Sequence, residues 1–413
     1  MKIIKKEILP FFILISLIIS ELFMEKINIL RYSDEVIAIF SIIYIILKLT
    51  LTQYKKKCPT NIIKLILVVI VLIIIGLISN ITAKIQTNLF IIIVDIISNF
   101  KIVFISVAMY MMLNKETAND ILKKLNVMSK IFIILGIIFG ILSLFFNLGM
   151  RGEYRYGIYC FNFIFSQAHI YSMFLLFALL VVAFNAKRDK IFFLYWILVD
   201  IQLILTTKGT SIMTCICSFL IYIYIYKKGK IKLRMIIPIG IAIAIFGGYQ
   251  INTYLLNTTA PRSVLYIYGL KTAMTYFPIG SGFATFGSDM AAKHYSLLYM
   301  KYGFYNRYGM SPDKTSFLND NYWPMILGQF GIIGTPLTIY MIYILFKVVQ
   351  KSLINRNIKT IMFTIIFYMI IASVGASIFT TSTTIILCLG IVLSLKTLNK
   401  NGEFYNEKNK KNY

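Results

Sequence analysis

Apolar runs of 15–27 residues recur from one end of this chain to the other, on the order of the length that crosses a bilayer as a helix. They cover residues 8–24, 36–52, 62–79, 89–113, 128–148, 163–185, 191–205, 211–226, 235–250, 323–349, 361–377 and 384–398. No other feature limits the fold so strongly. Inside hydrocarbon every backbone polar group must be paired within the protein, and a helix does this within one segment. The expected fold is therefore an all-α polytopic integral membrane protein with about 12 transmembrane helices. At 59% hydrophobic, the 413 residues also exceed the roughly 45–50% of soluble domains. The first run follows Lys2, Lys5 and Lys6 and imitates a signal peptide. No small-residue cleavage site follows it, so it is expected to stay as a helix.

The formal net charge of +26 would suggest nucleic acid in a soluble protein. Here most Lys and Arg fall in short connections between runs, where they set orientation and meet anionic lipid head groups. No basic face interleaved with exposed aromatics marks a nucleic-acid site. Taken alternately, one set of connections is rich in positive charge. It holds Lys55–Lys57, Lys115/Lys123/Lys124, Lys187/Arg188/Lys190 and Lys227/Lys228/Lys230/Lys232/Arg234, and both termini belong to it. The other set holds only Lys26/Arg31, Lys84, Arg151/Arg155 and Lys208. The positive-inside rule then makes both termini cytoplasmic. It also places 251–322 outside as one large loop between spans nine and ten.

Four regions follow: membrane helices over 1–250, the extracytoplasmic loop over 251–322, membrane helices over 323–398, and a polar tail over 399–413. The tail composition is that of disorder. No fixed-period repeat occurs, nor the paired broken helices that many transporters carry. The five cysteines are odd in number, form no C-x-x-C, and lie mostly in apolar runs, which fits small buried side chains rather than disulfides or a thiolate metal site.

Charges kept inside apolar runs cost about 2.5–3.5 kcal/mol each on insertion scales. Asp95, Asp200 and His169 lie toward the outer ends of their runs, and Lys101 lies deeper. They serve either function or helix pairing. Outside, Gly149–Phe161 carries Arg151 and Arg155 with Tyr154 and Tyr156. Guanidinium groups match phosphate oxygens bidentately, so this loop suits a lipid-linked pyrophosphate as well as a solvated interface. In the sequence TTKGTS, Lys208 stands at the start of the eighth run, where helix amides favour an anion.

The large loop opens with Arg262 on a helix-compatible run, 262–276. FPIGSGFATFG then breaks the helix, and Gly280, Gly282 and Gly287 permit tight backbone and close approach to a ligand. It is neither a Walker A loop nor a dinucleotide fingerprint. A second helix is expected over 288–302, lying on the membrane. Asp313, Asp320 and Asn321 precede Tyr322 and Trp323, which mark the interface where the chain returns to the membrane. With two distant histidines and no carboxylate cluster, a catalytic zinc is not expected.

Three local patterns, in order, resemble the bacterial O-antigen/capsular polysaccharide polymerase (Wzy) family and the related O-antigen ligases. The first is Arg262 followed by Pro278-Ile279-Gly280-Ser281-Gly282-Phe283. The second is Asp320-Asn321-Tyr322-Trp323 running into GQFGIIG, Gly328–Gly334. The third is an outer basic turn, here Thr207-Lys208 where the family usually has Ser/Thr-Arg. Ligases typically carry His where this chain has Asp320, which leans toward a polymerase. The resemblance implies a glycosyltransferase of the bacterial plasma membrane with an outward-facing site. It would join undecaprenyl-pyrophosphate-linked oligosaccharide repeats, without metal or nucleotide sugar, alongside a flippase and a chain-length regulator. Arg262 is the expected catalytic cation at the leaving pyrophosphate, and Asp320 the expected acceptor base, with His169 a further catalytic candidate. Arg151, Arg155, Lys208, Gly280, Gly282, Asp289 and Asn321 are the expected substrate-binding residues. The rival readings are ligation to a single acceptor, and a lipid-linked oligosaccharide flippase.

Overall fold

The computed structural model describes residues 8–50, 59–186, 188–227, 259–352 and 354–397. The expected ninth span, 235–250, and the tail over 399–413 lie outside the described residues. Elsewhere each expected span has a helix at its place. In chain order these are α1 (Ile8–Phe23), α2 (Ser33–Thr50), α3 (Thr60–Ala83), α4 (Leu89–Met112), α5 (Lys115–Phe145), α6 (Ala168–Asn185), α7 (Asp189–Leu205) and α8 (Gly209–Tyr226). The region between α8 and the last helices contributes α9 (Pro261–Thr275), α10 (Asp289–Lys293) and α11 (Leu297–Lys301), and three apolar helices follow. These are α12 (Tyr322–Lys351), α13 (Arg356–Gly375) and α14 (Ser382–Lys396). Among the described residues seven helices are both long and apolar enough to cross a membrane: α3, α4, α5, α6, α8, α12 and α13. Helices α1 and α14 are apolar but shorter.

The sequence of α6, AHIYSMFLLFALLVVAFN, is apolar all round. Such a helix belongs in the middle of a bundle, and from Ile170 to Ala183 every residue of α6 is buried. By contrast α3, α5 and α12 leave wide apolar faces uncovered, as helices do when lipid covers them. Lys101, in the interior of α4, is buried against the first turn of α2. Its ammonium stands 2.5 Å from Asp34 and 2.7 Å from Glu35, and Ser382 at the start of α14 donates to Asp34. The cost of the charge is therefore met by opposite charge within the bundle.

Two expectations need correction. The connection after α5, expected as a plain loop, is a β-hairpin, β1 (Arg151–Arg155) paired antiparallel with β2 (Ile158–Phe161). Its two-residue turn, Tyr156-Gly157, has φ of 50° and 82°, the positive values that a hairpin turn of the right twist requires. The single helix expected over 288–302 is instead two one-turn helices, α10 and α11. They part at His294–Ser296, where Tyr295 has φ 41°.

The region after α9 is not an extended loop. Val264, Leu265, Phe286, Leu298, Tyr299, Phe304 and Leu318 form a core of their own, so the segment is a small folded unit. Below it the glycine-rich stretch enters the bundle, and Gly280 to Ser288 are all buried. There it meets a break in α12 at Gly331, with φ 64° and ψ −160°. Ser281 and Gly282 donate their amides to the Gly328 and Gln329 carbonyls at 2.9 Å, and Ile333 donates to the Pro278 carbonyl at 3.2 Å. Backbone groups released by the broken helix are paired with the inserted loop, as an apolar interior demands. The crossing needs bare glycine on both sides. A Cβ on Gly280 would lie 2.5 Å from the Gly331 nitrogen, and one on Gly331 would lie 2.4 Å from the Gly280 nitrogen.

Helices α3 and α4 hold the inserted loop from the other side. The Asn80 carboxamide brackets Phe283, accepting from its N–H at 2.8 Å and donating to its carbonyl at 2.9 Å. Ser79 donates to the Ile279 carbonyl. One oxygen of Asp95, Oδ2, accepts from the Ala284 amide, Asn99 and Gln329. Asp95 thus anchors the loop and does not join His169. Asp200 lies elsewhere again, beside Cys215 on α8.

Candidate functional site

Helix α9 begins with Pro261, a residue suited to a first helical position, and Arg262 follows it directly. The helix lies against the first turn of α12, so close that a Cβ on Gly269 would come within 2.9 Å of the Pro324 carbonyl. This brings Arg262 to Asp320, immediately before the α12 cap residue Asn321, with Nε 3.5 Å from Oδ2. Both side chains are about one-third exposed, 34% and 32%, so the pair is open to solutes. The guanidinium also sits beside Gly375, the last residue of α13. A helix C-terminus carries partial negative charge and favours a cation there. Tyr266 fixes this contact by donating to the Val374 carbonyl at 2.9 Å.

The hairpin and the α7–α8 turn supply the rest. Lys208 caps α8 and stands 3.9 Å from Glu153 on β1, which is also ion-paired with Arg155. Cys160 on β2 donates to the Thr206 carbonyl and ties the hairpin to that turn. Thr207 completes the turn at φ 48°, an unusual conformation for a β-branched residue.

Charge couples these groups. Burial, together with the neighbouring charges of Arg155 and Arg262, holds Lys208 below the ordinary lysine range against the opposing pull of Cys160 and Glu153. Burial would raise the Glu153 carboxyl, but the hydrogen bond from Arg155 and the charges of Lys208, Arg155 and Arg262 take it below its usual range. Burial pushes the Asp320 carboxyl up, and Arg262 offsets part of the rise. His169, in the first turn of α6, lies within electrostatic reach of Lys208 and Arg262. Its carbonyl accepts from Tyr368 on α13.

The Arg262–Asp320 pair, the Lys208–Glu153–Arg155 group and His169 thus lie within electrostatic reach of one another, although their sequence positions span more than 160 residues. The cluster has three strong cations against two carboxylates. Burial first, and the like charges of Arg155 and Arg262 second, hold Lys208 down, so a bound anion would offset both.

The other sequence candidates sit elsewhere. Arg151 turns toward the end of α5, where its Nε donates to the Ser143 carbonyl at 2.7 Å and its guanidinium covers the Tyr159 ring. It fastens the hairpin. Gly280 and Gly282 make a close approach, but to the protein's own backbone, with their amides bonded to the Tyr276 and Gln329 carbonyls. Asp289 accepts from Asn319 at 3.2 Å. Asn321 is fully buried, and neither end of its carboxamide has a partner among the described residues. Such a group is costly unless something pairs with it.

Glu153 is the site residue that sequence reasoning passed over. Its signal was present: it is the one carboxylate in an outer connection that otherwise carries arginines. No family model and no curated protein sequence matches this chain.

Proposed function

We propose that this protein is a polysaccharide polymerase of the bacterial plasma membrane, acting on its outer face. It would transfer a growing glycan from an undecaprenyl-pyrophosphate carrier to the free sugar end of a second lipid-linked repeat. The observation that carries the reading is that Arg262, Lys208 and Arg155, from three separate segments, lie within electrostatic reach of one another, with Asp320 against Arg262. Glycosyl transfer from a pyrophosphate donor develops negative charge on the leaving group, and fixed cations in a partly desolvated site stabilise that charge. Arg262 is the central cation, with Lys208 and Arg155 on the remaining phosphate oxygens.

Asp320 supplies the second half of the reaction. The acceptor hydroxyl must lose a proton as the new bond to the sugar carbon forms. A carboxylate whose proton affinity burial has raised is a better base for that step. Its pairing with Arg262 sets donor charge and acceptor base side by side. As the pyrophosphate draws on Arg262, the Asp320 carboxylate loses part of its counter-charge and its basicity rises further.

The test is Arg262→Ala in cells that make the polymer. The expected result is loss of long chains, with protein abundance and single-repeat glycan unchanged. Normal chain length in this variant overturns the reading. In a reconstituted assay the wild type is expected to give a ladder of repeats. A single transfer step would make it a ligase.

A further inference from the structure

Helix α13 is buried on every side but one. Over residues 357–374 the side chains left uncovered are Lys359, Phe363, Phe367, Ile370, Ile371 and Val374. All but Ile371 recur at intervals of three or four, so they form one stripe down the helix. The lower part of this stripe is the floor of a groove. Ile221, Tyr224 and Ile225 of α8 form one wall and Phe346 of α12 the other, around a cavity of about 420 Å³ that reaches up to Ile370. That volume lies in the range of small-molecule sites, about 300–1,000 Å³.

The two ends of the stripe differ. At one end Lys359 reaches the last turn of α12, donating to the Gln350 carbonyl at 2.6 Å and the Ser352 carbonyl at 3.1 Å. Its ammonium is committed to closing that helix. At the other end stands Val374, whose carbonyl accepts from Tyr266 of α9. The next residue, Gly375, lies beside the Arg262 guanidinium. The stripe therefore leads from the apolar cavity to the cation cluster. An amphiphile lying along it would have its anionic head at Arg262 and its chain over Val374, Ile370, Phe367 and Phe363.

The length of the stripe says which amphiphile. Over residues 359–374 the helix rises about 22 Å. One leaflet of the hydrocarbon core is about 15 Å thick, so a phospholipid acyl chain with its head at Arg262 would leave the lower part of the groove empty. A polyprenyl chain is longer than one leaflet. Bulk lipid is as apolar as the groove, so any preference must come from packing, and the methyl branches of a polyprenyl chain suit the gaps between aromatic rings.

We propose that this groove seats the polyprenyl chain of the carrier lipid. The inference rests on the reading of Arg262 as the pyrophosphate cation, and adds a route to it. The donor enters sideways from the bilayer, and its seated chain presents the pyrophosphate to Arg262 from the membrane side.

The experiment uses the purified full-length protein in detergent, with a photoreactive benzophenone side chain placed singly at Ile370, at Phe363, or at Ile141, an exposed apolar position on α5. After irradiation with undecaprenyl pyrophosphate, mass spectrometry should find the lipid attached at Ile370 and Phe363 at least about tenfold more than at Ile141, because a chain tethered by its head has a raised local concentration. Farnesyl pyrophosphate, with the same head and a short chain, should label Ile370 well above Phe363. Arg262→Ala should lower both groove signals to the Ile141 level. The inference is overturned if groove and Ile141 labelling match, if Arg262→Ala leaves the groove signals unchanged, or if phosphatidylglycerol displaces the lipid as well as a second polyprenyl pyrophosphate does. A protein that builds long chains yet shows no groove labelling loses the tail site alone. One that is labelled but forms no polymer keeps the tail site and loses the polymerase reading.

Discussion

Arg262 and Asp320 stand as an ion pair, and in the proposed reaction that pairing sets what their substitution should do. Asp320→Asn keeps the shape but removes the proton acceptor, and is expected to lower the polymerisation rate about 100-fold or more with donor binding retained. A wild-type rate would remove Asp320 from the mechanism. Lys208 gives a pH signature. Its proton affinity is depressed in the free protein, and a bound anion raises it. Binding therefore takes up a proton in the window between the two values, and affinity falls as pH rises through that window. Pyrophosphate titration of the full chain should show this fall, and Lys208→Arg, which stays charged, should flatten it. At this scale the sequence was legible where charge is expensive or out of place. Arg262 stood out at the start of the large loop, Arg155 in a short connection between apolar runs, and Lys208 and Asp320 just before the runs that follow them. Arg151 looked equivalent to Arg155 because spacing alone cannot tell which arginine in a strand is spent on a neighbouring helix carbonyl.

At the scale of elements, helices and their positions followed from periodicity and length, whereas the break at Gly331 did not. GQFGIIG reads as a glycine-rich helix face, a common packing device. Only the partner stretch, PIGSGF, makes it an interruption, and the two lie some 50 residues apart. The hairpin was missed for a related reason: Tyr156-Gly157 has one glycine where the strongest hairpin signals are Asn-Gly or Asp-Gly. The interlock makes a clear prediction. Gly331→Ala puts a Cβ against backbone at an unfavourable φ, and is expected to cost about 3 kcal/mol or more. Thermal melts followed by size-exclusion in detergent would measure it. Gly303→Ala, where nothing lies within 4 Å, carries only the strain of its positive φ and should cost less. Equal losses at the two positions would show that the crossing is looser than described.

For the molecule as a whole, the steep Lys/Arg asymmetry predicts orientation. A reporter fused after Lys230 should be cytoplasmic, and one after Ser288 should not; the reverse result sinks the topology. The buried Lys101–Asp34–Glu35 group belongs to the same scale, because it joins helices from both ends of the chain through Ser382. Lys101→Met would strand two carboxylates, at about 3–5 kcal/mol. Adding Asp34→Asn and Glu35→Gln should restore much of that loss in a melting assay.

The inserted loop also bears on synthesis. Asn80 meets Phe283 across 203 residues, and at about 5–20 residues per second the ribosome delivers that partner roughly 10–40 s later. Throughout that interval the nascent N-terminal helices hold Asn80 and Asp95 without the backbone they are built to grip. The membrane insertion machinery must shelter these groups until the glycine-rich stretch and the first turns of α12 emerge. A chain released before Gly334 would leave the gap unfilled, making early truncation products natural targets for quality-control proteolysis.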